Sequence, residues 1–508
     1  MKLVTATQMQ ELEQITFSEY GFSGLVMMEN AAQGFCDKLE QVKGAVKGKK
    51  INIFCGSGNN GGDGFAIARL LLVRGALPTV FISFDAGKLK KDARTNYDAA
   101  VRFGVPVSEF SSLAGTCDII VDALFGTGFH GEIEGAEAEM VRRMNESSAF
   151  VAAVDMPSGA SAEDGTAAKN CVWAELTVTF GAAKLGQFLY PAKQYVGRLE
   201  ISEISIPPKI WEEYKCSYFT LDEEIFKRLP RRVCDGHKGS FGKCLIFAGS
   251  KGMCGAAVMA SQAVMRSGAG MATLATPKNI SDIAAAKLTE VMTLALPTDG
   301  ETVEKSALKM LTEKLAQQDV LLLGCGLGGG ENIKYLVNSL VSESKKPMVI
   351  DADGINALKG NINILKSKKA PAVLTPHPME FSRISGHSME YIRTNRVSAA
   401  RSFAKEYDVT LVLKGADSLV ACPDGRVYVN TISNSGMATA GSGDVLSGII
   451  AGLAAQGASL ADSACIGVHL HTLAGNLAKE KLGEYGMTAV DILEAVPYAL
   501  KSAAECLQ

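Results

Sequence analysis

Short unbroken apolar runs alternate with glycine- and acid-rich loops along most of the chain, and many loops lead into residues with helical periodicity. The first such run is Ile51-Asn52-Ile53-Phe54-Cys55. The loop Gly56-Ser57-Gly58-Asn59-Asn60-Gly61-Gly62-Asp63-Gly64 follows it, and a helix pattern begins at Phe65. Runs of this length without polar alternation predict strands buried on both faces, as in parallel sheets with helices on each side. Further strands are predicted at 79–83, 118–121, 149–154 and 198–206, with a helix over 89–103. Residues 5–43 have helical periodicity and are read as amphipathic packing helix, with Asn30 as a weak site candidate.

Pro207-Pro208 stops the last of these strands, and residues 209–240 carry few periodic apolar positions. The domain boundary is therefore expected after residue 212, dividing the chain into 1–212 and 213–508. Beyond it, strands are predicted at 243–248, 320–323, 348–350, 372–374 and 410–413. A hairpin over 419–430 turns at Pro423-Asp424-Gly425, and a small-residue helix opens at Gly255-Ala256-Ala257. The expected class is α/β in two domains.

The chain has 508 residues, a net charge of -3 and 21% charged residues. That balance gives no footprint for nucleic acid. No apolar run is long enough to span a bilayer, and the first residues do not resemble a signal or transit peptide. The 12 cysteines include no Cys-x-x-Cys pair, and several lie in strand-like runs. A reduced, cytoplasmic protein is expected. His469 and His471 are two apart on a predicted helix and make a poor metal pair.

In open parallel sheets ligands bind beyond the carboxyl ends of strands. The polar loops after the predicted strands are therefore the candidate chemistry. In the first half these are the Asn59-Asn60 pair with Asp63, the loop from Asp122, and Asp155 in Asp155-Met156-Pro157-Ser158-Gly159. The first loop contains GxGxxG, with Asp85 near the position of a ribose-binding acid. An NAD-dependent dehydrogenase fits that pattern, though Asn59, Asn60 and Asp63 are unusual for it. In the second half, Thr439-Ala440-Gly441-Ser442-Gly443-Asp444-Val445-Leu446 places an acid beside a glycine-rich helix start, which favours anions. Lys414 and the Gly443 backbone can hold phosphate, residues 441–443 can offset developing charge, and Asp444 can take a hydroxyl proton. Asp351 and Asp353 could act on magnesium through water or cap a helix. His377, between two prolines, is read as a ligand contact. No Walker A motif is present.

Gly58-Asn59-Asn60-Gly61-Gly62-Asp63-Gly64, Asp122-Ala123-Leu124-Phe125-Gly126-Thr127-Gly128 and Asp155-Met156-Pro157-Ser158-Gly159 resemble the signature of the NAD(P)HX epimerase domain, with a Rossmann-like three-layer sandwich. The resemblance implies that Asp155 is the acid/base at the reacting centre. It implies that Asn60, Asp122 and Ser158 hold a potassium ion. Asn59, Asn60, Gly61, Gly62, Asp63, Gly126, Thr127, Gly128, Phe129, His130, Gly131 and Glu132 would line the substrate site. Lys184 fits a family pattern without an assigned role, and Ala160 departs from the usual leucine.

Gly324-Cys325-Gly326-Leu327-Gly328, Asp351-Ala352-Asp353, Thr375-Pro376-His377-Pro378, Lys414-Gly415 and the 439–446 stretch resemble the NAD(P)HX dehydratase branch of the ribokinase-like superfamily. In that branch a nucleotide phosphorylates the hydroxyl of the hydrate, and phosphate then leaves to regenerate NAD(P)H. The resemblance implies Asp444 as base. It implies hydrate contacts at Ala256, Gly326 and His377, and nucleotide contacts at Lys414, Gly415, Ala416, Asp417, Ser418 and Gly443. Cys325, Met379 and Gly354 depart from the usual proline, glycine and alanine. Together the halves imply a bifunctional enzyme that repairs NADHX and NADPHX, with ADP favoured over ATP as donor, Mg2+ in the dehydratase and a homo-oligomeric state. Two alternatives remain: a ribokinase-like small-molecule kinase fused to a Rossmann-type dinucleotide-binding domain, and a nucleotide-binding sensor without turnover.

Overall fold

The computed structural model describes residues 1–89, 91–110, 116–300 and 302–505. The chain divides into two compact units, Lys2–Tyr218 and Phe219–Gln508, the latter counted with Met1. The division falls a few residues beyond the expected boundary, which lies at the end of the short helix Pro208–Glu213.

The first unit contains, in order, α1 (Ala6–Tyr20), α2 (Gly24–Lys43), β1 (Lys50–Cys55), α3 (Asn59–Val73), β2 (Leu77–Ile82), α4 (Lys91–Arg102), β3 (Val107–Glu109), β4 (Ile119–Ala123), α5 (Gly135–Glu146), β5 (Phe150–Val154), β6 (Leu176–Phe180) and β7 (Arg198–Ser202). Its sheet of seven described strands runs β3-β2-β1-β4-β5-β6-β7 and every pair in it is parallel. The sheet is covered on both faces, as the continuous apolar runs require. Ile51, Ile53, Val121 and Val154 pack into a core with Phe35, Phe65 and Leu71. The alternating Phe54, Ile120 and Val151 join Met140, Val141 and Met144 of α5 in a second core. The strand order reverses between β1 and β4. The loops after these two strands therefore diverge and leave a crevice between them.

The second unit contains β8 (Lys243–Phe247), α6 (Cys254–Arg266), β9 (Met271–Pro277), β10 (Met292–Leu296), β11 (Val320–Leu323), β12 (Met348–Ile350), β13 (Ala372–Leu374), α7 (Pro378–Ser385), β14 (Thr410–Leu413), β15 (Leu419–Ala421), β16 (Val427–Asn430), α8 (Ser442–Ala455), α9 (Leu460–Leu482) and α10 (Ala489–Glu505). Its sheet includes the run β16-β15-β14-β13-β12-β11-β8-β9-β10, parallel except for the predicted hairpin of β15 and β16 and its antiparallel join to β14. Leu323 pairs with Ile350 and Ile350 with Leu374. Three strands thus end level, and the polar loops that follow stand side by side.

Candidate active sites

In the first unit a cavity of about 700 Å³ opens at the reversal point. The loop after β1 and the first turn of α3 supply Ser57, Gly58, Asn59, Asn60 and Asp63; the loop after β4 supplies Gly126, Thr127, Gly128 and Phe129. Asp155, immediately after β5, reaches the same space. Gly61, Gly62, His130, Gly131 and Glu132 are not among the lining residues; the Glu132 carboxylate accepts the Lys169 N–H at 2.9 Å.

Asp155 has φ +66°, a left-handed conformation that Asp and Asn enter more readily than most residues. Its Oδ1 accepts from Lys184 Nζ at 2.6 Å, Thr179 Oγ1 at 2.9 Å and the Phe180 N–H at 3.2 Å. Lys184 is only 1% exposed, and its Nζ also donates to Thr179 Oγ1 and the Phe180 carbonyl, each at 2.8 Å. Gln187 donates to the Asp155 carbonyl at 2.9 Å. This network fixes both the carboxylate and its backbone. Lys184, whose motif alone gave it no role, is the cation that holds Asp155.

The Asp122 carboxylate, fully buried, accepts from the Ser158 N–H at 2.7 Å and Ser158 Oγ at 2.6 Å. Burial pushes its pKa up to about 6, against the opposing hydrogen bonds from Ser158 and the Leu124 N–H. Both polar atoms of the Asn60 side chain are buried without a partner. A Cβ at Gly126 would lie 2.8 Å from Asn60 Oδ1, so the amide oxygen faces the β4 loop that Ser158 also touches. Orphaned amide oxygen, buried carboxylate and hydroxyl form a donor set that suits a hard monovalent cation.

The sequence pattern placed Asn59 to Asp63 in a loop, but α3 begins at Asn59 with Gly58 as its cap. Gly61 permits this early start: any Cβ there would collide with the Gly56 carbonyl. Asp85 is not at the cavity; it caps a turn by accepting the Gly87 N–H at 2.9 Å. Asn30 also lies elsewhere, donating to Ser205 Oγ at 2.9 Å.

In the second unit Asp444 sits in the first turn of α8, whose N-cap is Gly441. One ligand atom each from Cys325, Asp351 and Asp444 falls within 4.8 Å of the others. Burial, then the neighbouring Asp351 charge, raise the Asp444 pKa to about 6. Lys414 Nζ donates to Asp351 Oδ1 at 2.9 Å. Burial works against the Lys414 ammonium, but Asp351 and Glu380 outweigh it and its pKa is raised. A Cβ on Gly443 would stand 3.1 Å from Lys414 Nζ, so the bare start of α8 and the ammonium share one pocket of space.

Gly326 adjoins Ala256, 2.9 Å from where its Cβ would be, and its carbonyl accepts from Ser250 Oγ at 2.8 Å. Asp353 braces this loop through the Gly328 N–H at 2.8 Å. Asp351 caps the helix Ala352–Ala357, the second of its two readings, and also holds Lys414. His377 caps α7: its Nδ1 accepts the Met379 and Glu380 N–H groups at 3.2 and 3.3 Å. Only its Nε2 edge is left toward a ligand, and Glu380 Oε1 stands 3.4 Å away. The Asp417 carboxylate turns inward to Arg396 at 3.2 Å, while Gly415, Ala416 and Ser418 form a turn closed by Ser418 Oγ. Arg396, buried and bonded to the Leu413 and Lys414 carbonyls, was not singled out from sequence because an isolated arginine on a helix carries no signal.

A family model described as YjeF-related protein N-terminus matches residues 24–186, and one described as NAD(P)H-hydrate dehydratase matches 244–498. The chain is 40% identical to a bifunctional NAD(P)H-hydrate repair enzyme of Moorella thermoacetica, covering 99% of this chain and 98% of the relative. It belongs to the bifunctional NAD(P)H-hydrate repair enzymes. The Escherichia coli member is 33% identical over 87% of this chain and 84% of its own. A ribokinase-like superfamily protein of known structure from Enterococcus faecalis is 27% identical, with a TM-score of 0.50, covering 57% of this chain and 98% of that one. Both halves of the family's pattern are therefore present, each with a site at its own strand ends.

Proposed function

We propose that the first unit interconverts the epimers of hydrated NADH and NADPH at Asp155, and that the second dehydrates one epimer with Asp444 as base. The dihydronicotinamide ring is an enamine. Water adds with its hydroxyl on the carbon beside the ring nitrogen, because protonation of the enamine leaves the cation there. That carbon is a hemiaminal centre and a stereocentre, so both epimers form. Epimerisation needs proton transfer at the hydroxyl oxygen, and Asp155, held by Lys184 at 2.6 Å, is placed for it. Dehydration needs a better leaving group than hydroxide. Asp444, with a pKa of about 6, is largely ionised at neutral pH yet more basic than a free carboxylate. It takes the hydroxyl proton as that oxygen attacks the terminal phosphorus of the nucleotide, whose P–O bond to the shortened nucleotide breaks. Lys414 and the N–H groups at the start of α8 hold the phosphoryl oxygens. The C–O bond to the new phosphate then breaks, and loss of a proton from the adjacent ring carbon restores the ring double bond.

Asn60, Asp122 and Ser158 would hold a potassium ion, which supplies fixed positive charge beside the epimerase cavity. Asp351 and Asp444, with Asp353 through water, would be the carboxylates for a magnesium ion, which would neutralise charge on the nucleotide's phosphates. Cys325 is a poor partner for so hard an ion, since burial keeps its thiol protonated. We read ADP as the donor in preference to ATP.

The observation that carries this reading is the pair of separate carboxylates, one held by the buried Lys184 and the other grouped with Asp351, which holds the half-buried Lys414. The test mixes both NADHX epimers with potassium, magnesium and ADP or ATP in parallel. Wild type should convert both epimers fully to NADH, faster with ADP. Asp155→Asn should stop near the fraction that starts as the usable epimer, and Asp444→Asn should form no NADH. Conversion of both epimers by Asp155→Asn at the wild-type rate would remove the epimerase assignment.

A further inference from the structure

The epimerase cavity has a wall that no motif announced. Gln10, Glu13, Gln14 and Phe17 of α1 all line it. Their spacing of three, four and seven residues is one face of the helix. A neighbouring face carries Met9, Leu12 and Thr16 into the core. This face of α1 thus presents two exposed amides and a half-buried carboxyl, besides Phe17, to the cavity. The placement is anchored from both sides. Val4 pairs with Lys184 through Val4 N–H to the Ala183 carbonyl at 3.1 Å and Leu185 N–H to the Val4 carbonyl at 2.8 Å. Thr5 then caps α1 in a reciprocal box with Gln8. The segment that launches α1 is therefore hydrogen-bonded to the loop that carries the Asp155 partner.

We propose that Glu13 is a second catalytic residue of the epimerase, the acid that works opposite in role to Asp155. This rests on the epimerase reading of the cavity. In one direction the Glu13 proton passes to the hemiaminal hydroxyl, the C–O bond breaks, and the ring nitrogen's lone pair closes a C=N bond. Water departs and Glu13 is left as carboxylate. A water then adds to the other face of the flat cation, forming the new C–O bond as Asp155 takes its proton. The reverse epimerisation exchanges the roles, and solvent resets both groups. One proton enters and one leaves, so no oxidant or co-reactant is required.

The charges around Glu13 support this division. Asp155 is bonded to Lys184, the buried cation of the site. Asp63 from α3 and Asp92 from α4 also line the cavity. With Lys184 engaged by Asp155, Glu13 and Asp63 are left as surplus buried carboxyls. Burial pushes Glu13 up to about 7, with Lys184 lowering and Asp155 raising it. A carboxylate ion-paired to a buried lysine, facing the same cavity as a second carboxyl with no such partner, is the arrangement an acid and base pair needs. Asp63 is raised as well, chiefly by burial, and then by Asp155 and Glu13. Glu13 is the one poised near neutrality, where an acid can be both used and restored.

The experiment follows each epimer of NADHX separately in the full-length protein with ADP, so dehydration of the usable epimer reports in the same tube. Glu13→Gln keeps shape and hydrogen bonding but removes the proton. It should slow epimerisation by about 10²-fold or more and leave dehydration within twofold. The wild-type epimerisation rate should fall as pH rises through about 7, and that limb should vanish in the variant. Glu13→Asp keeps the proton but shortens the reach, so it should be faster than Glu13→Gln. A packing role predicts the reverse order. Epimerisation by Glu13→Gln within threefold of wild type with an unchanged pH limb would overturn the proposal, as would the reverse ranking. Failure of wild type itself to epimerise would remove the reading of the cavity instead.

Discussion

Asp155 and Asp444 are two carboxylates kept for opposite reasons. Lys184 compensates the first; the second is buried beside another acid, Asp351, with Lys414 shared between them. The second arrangement costs stability at neutral pH. Its folded pKa of about 6 exceeds the ordinary 3.8. The contribution of a group raised in this way is fully present below the ordinary value and is lost as pH rises through the folded one. Asp444→Asn should therefore be dead but more stable than wild type at pH 7.5, by about 2 kcal/mol. The two should match at pH 4, as measured by denaturant midpoints. Lys184→Met should do the opposite, because it strands the Asp155 charge: a loss of about 3 kcal/mol in the first unit and a collapse of epimerisation. At this scale the sequence revealed the acids, since Asp155 directly follows a predicted strand and Asp444 stands at a glycine-rich helix start. It did not reveal Lys184 as their partner, because the pairing spans 29 residues and depends on the turn after β6.

The helices and strands show where pattern reading works and where it stops. Runs such as 320–323 are apolar throughout and were legible. β6, Leu-Thr-Val-Thr-Phe, was not, because Thr177 and Thr179 make it look half exposed. Both are fully buried: one donates to the Val196 carbonyl and the other serves Asp155. Likewise α1 looked like plain packing, since periodicity registers its apolar stripe and is silent about a polar one that lines a cavity. The small-residue pattern of α8 has a cause in its crossing with α6. A Cβ on Gly448 would collide with the Ala260 carbonyl and stand 2.6 Å from the Ala263 Cβ. Gly448→Leu should therefore force the helices apart and cost more than about 3 kcal/mol. The loss should appear as a large drop in melting temperature together with loss of dehydration.

Across the whole molecule, the two sites are built by one device used twice. Level strand ends in a parallel sheet bring loops from distant parts of the chain together, and the acids sit in those loops. This made both sites legible from sequence in outline. Their closing walls, α1 and the Arg396 brace, come from segments outside the loops. Because each unit carries its own acid and its own set of strand-end loops, the two reactions should be separable and recombinable. An equimolar mixture of Asp155→Asn and Asp444→Asn proteins should convert both epimers completely, although each alone fails. Accumulation of the unused epimer in the mixture would show that the reactions need one chain.

The left-handed backbone of Asp155 has an evolutionary consequence. Glycine and asparagine are the residues that share its tolerance for φ +66°, and each lies one base change from an aspartate codon. The commonest ways to lose the carboxylate are thus the ones the backbone tolerates best, leaving the unpaired Lys184 ammonium as their cost. A lineage could drop the epimerase while keeping the domain folded, expressed and recognisable. Descendants of this chain should be sorted by the identity of that one side chain before an activity is inferred from the fold around it.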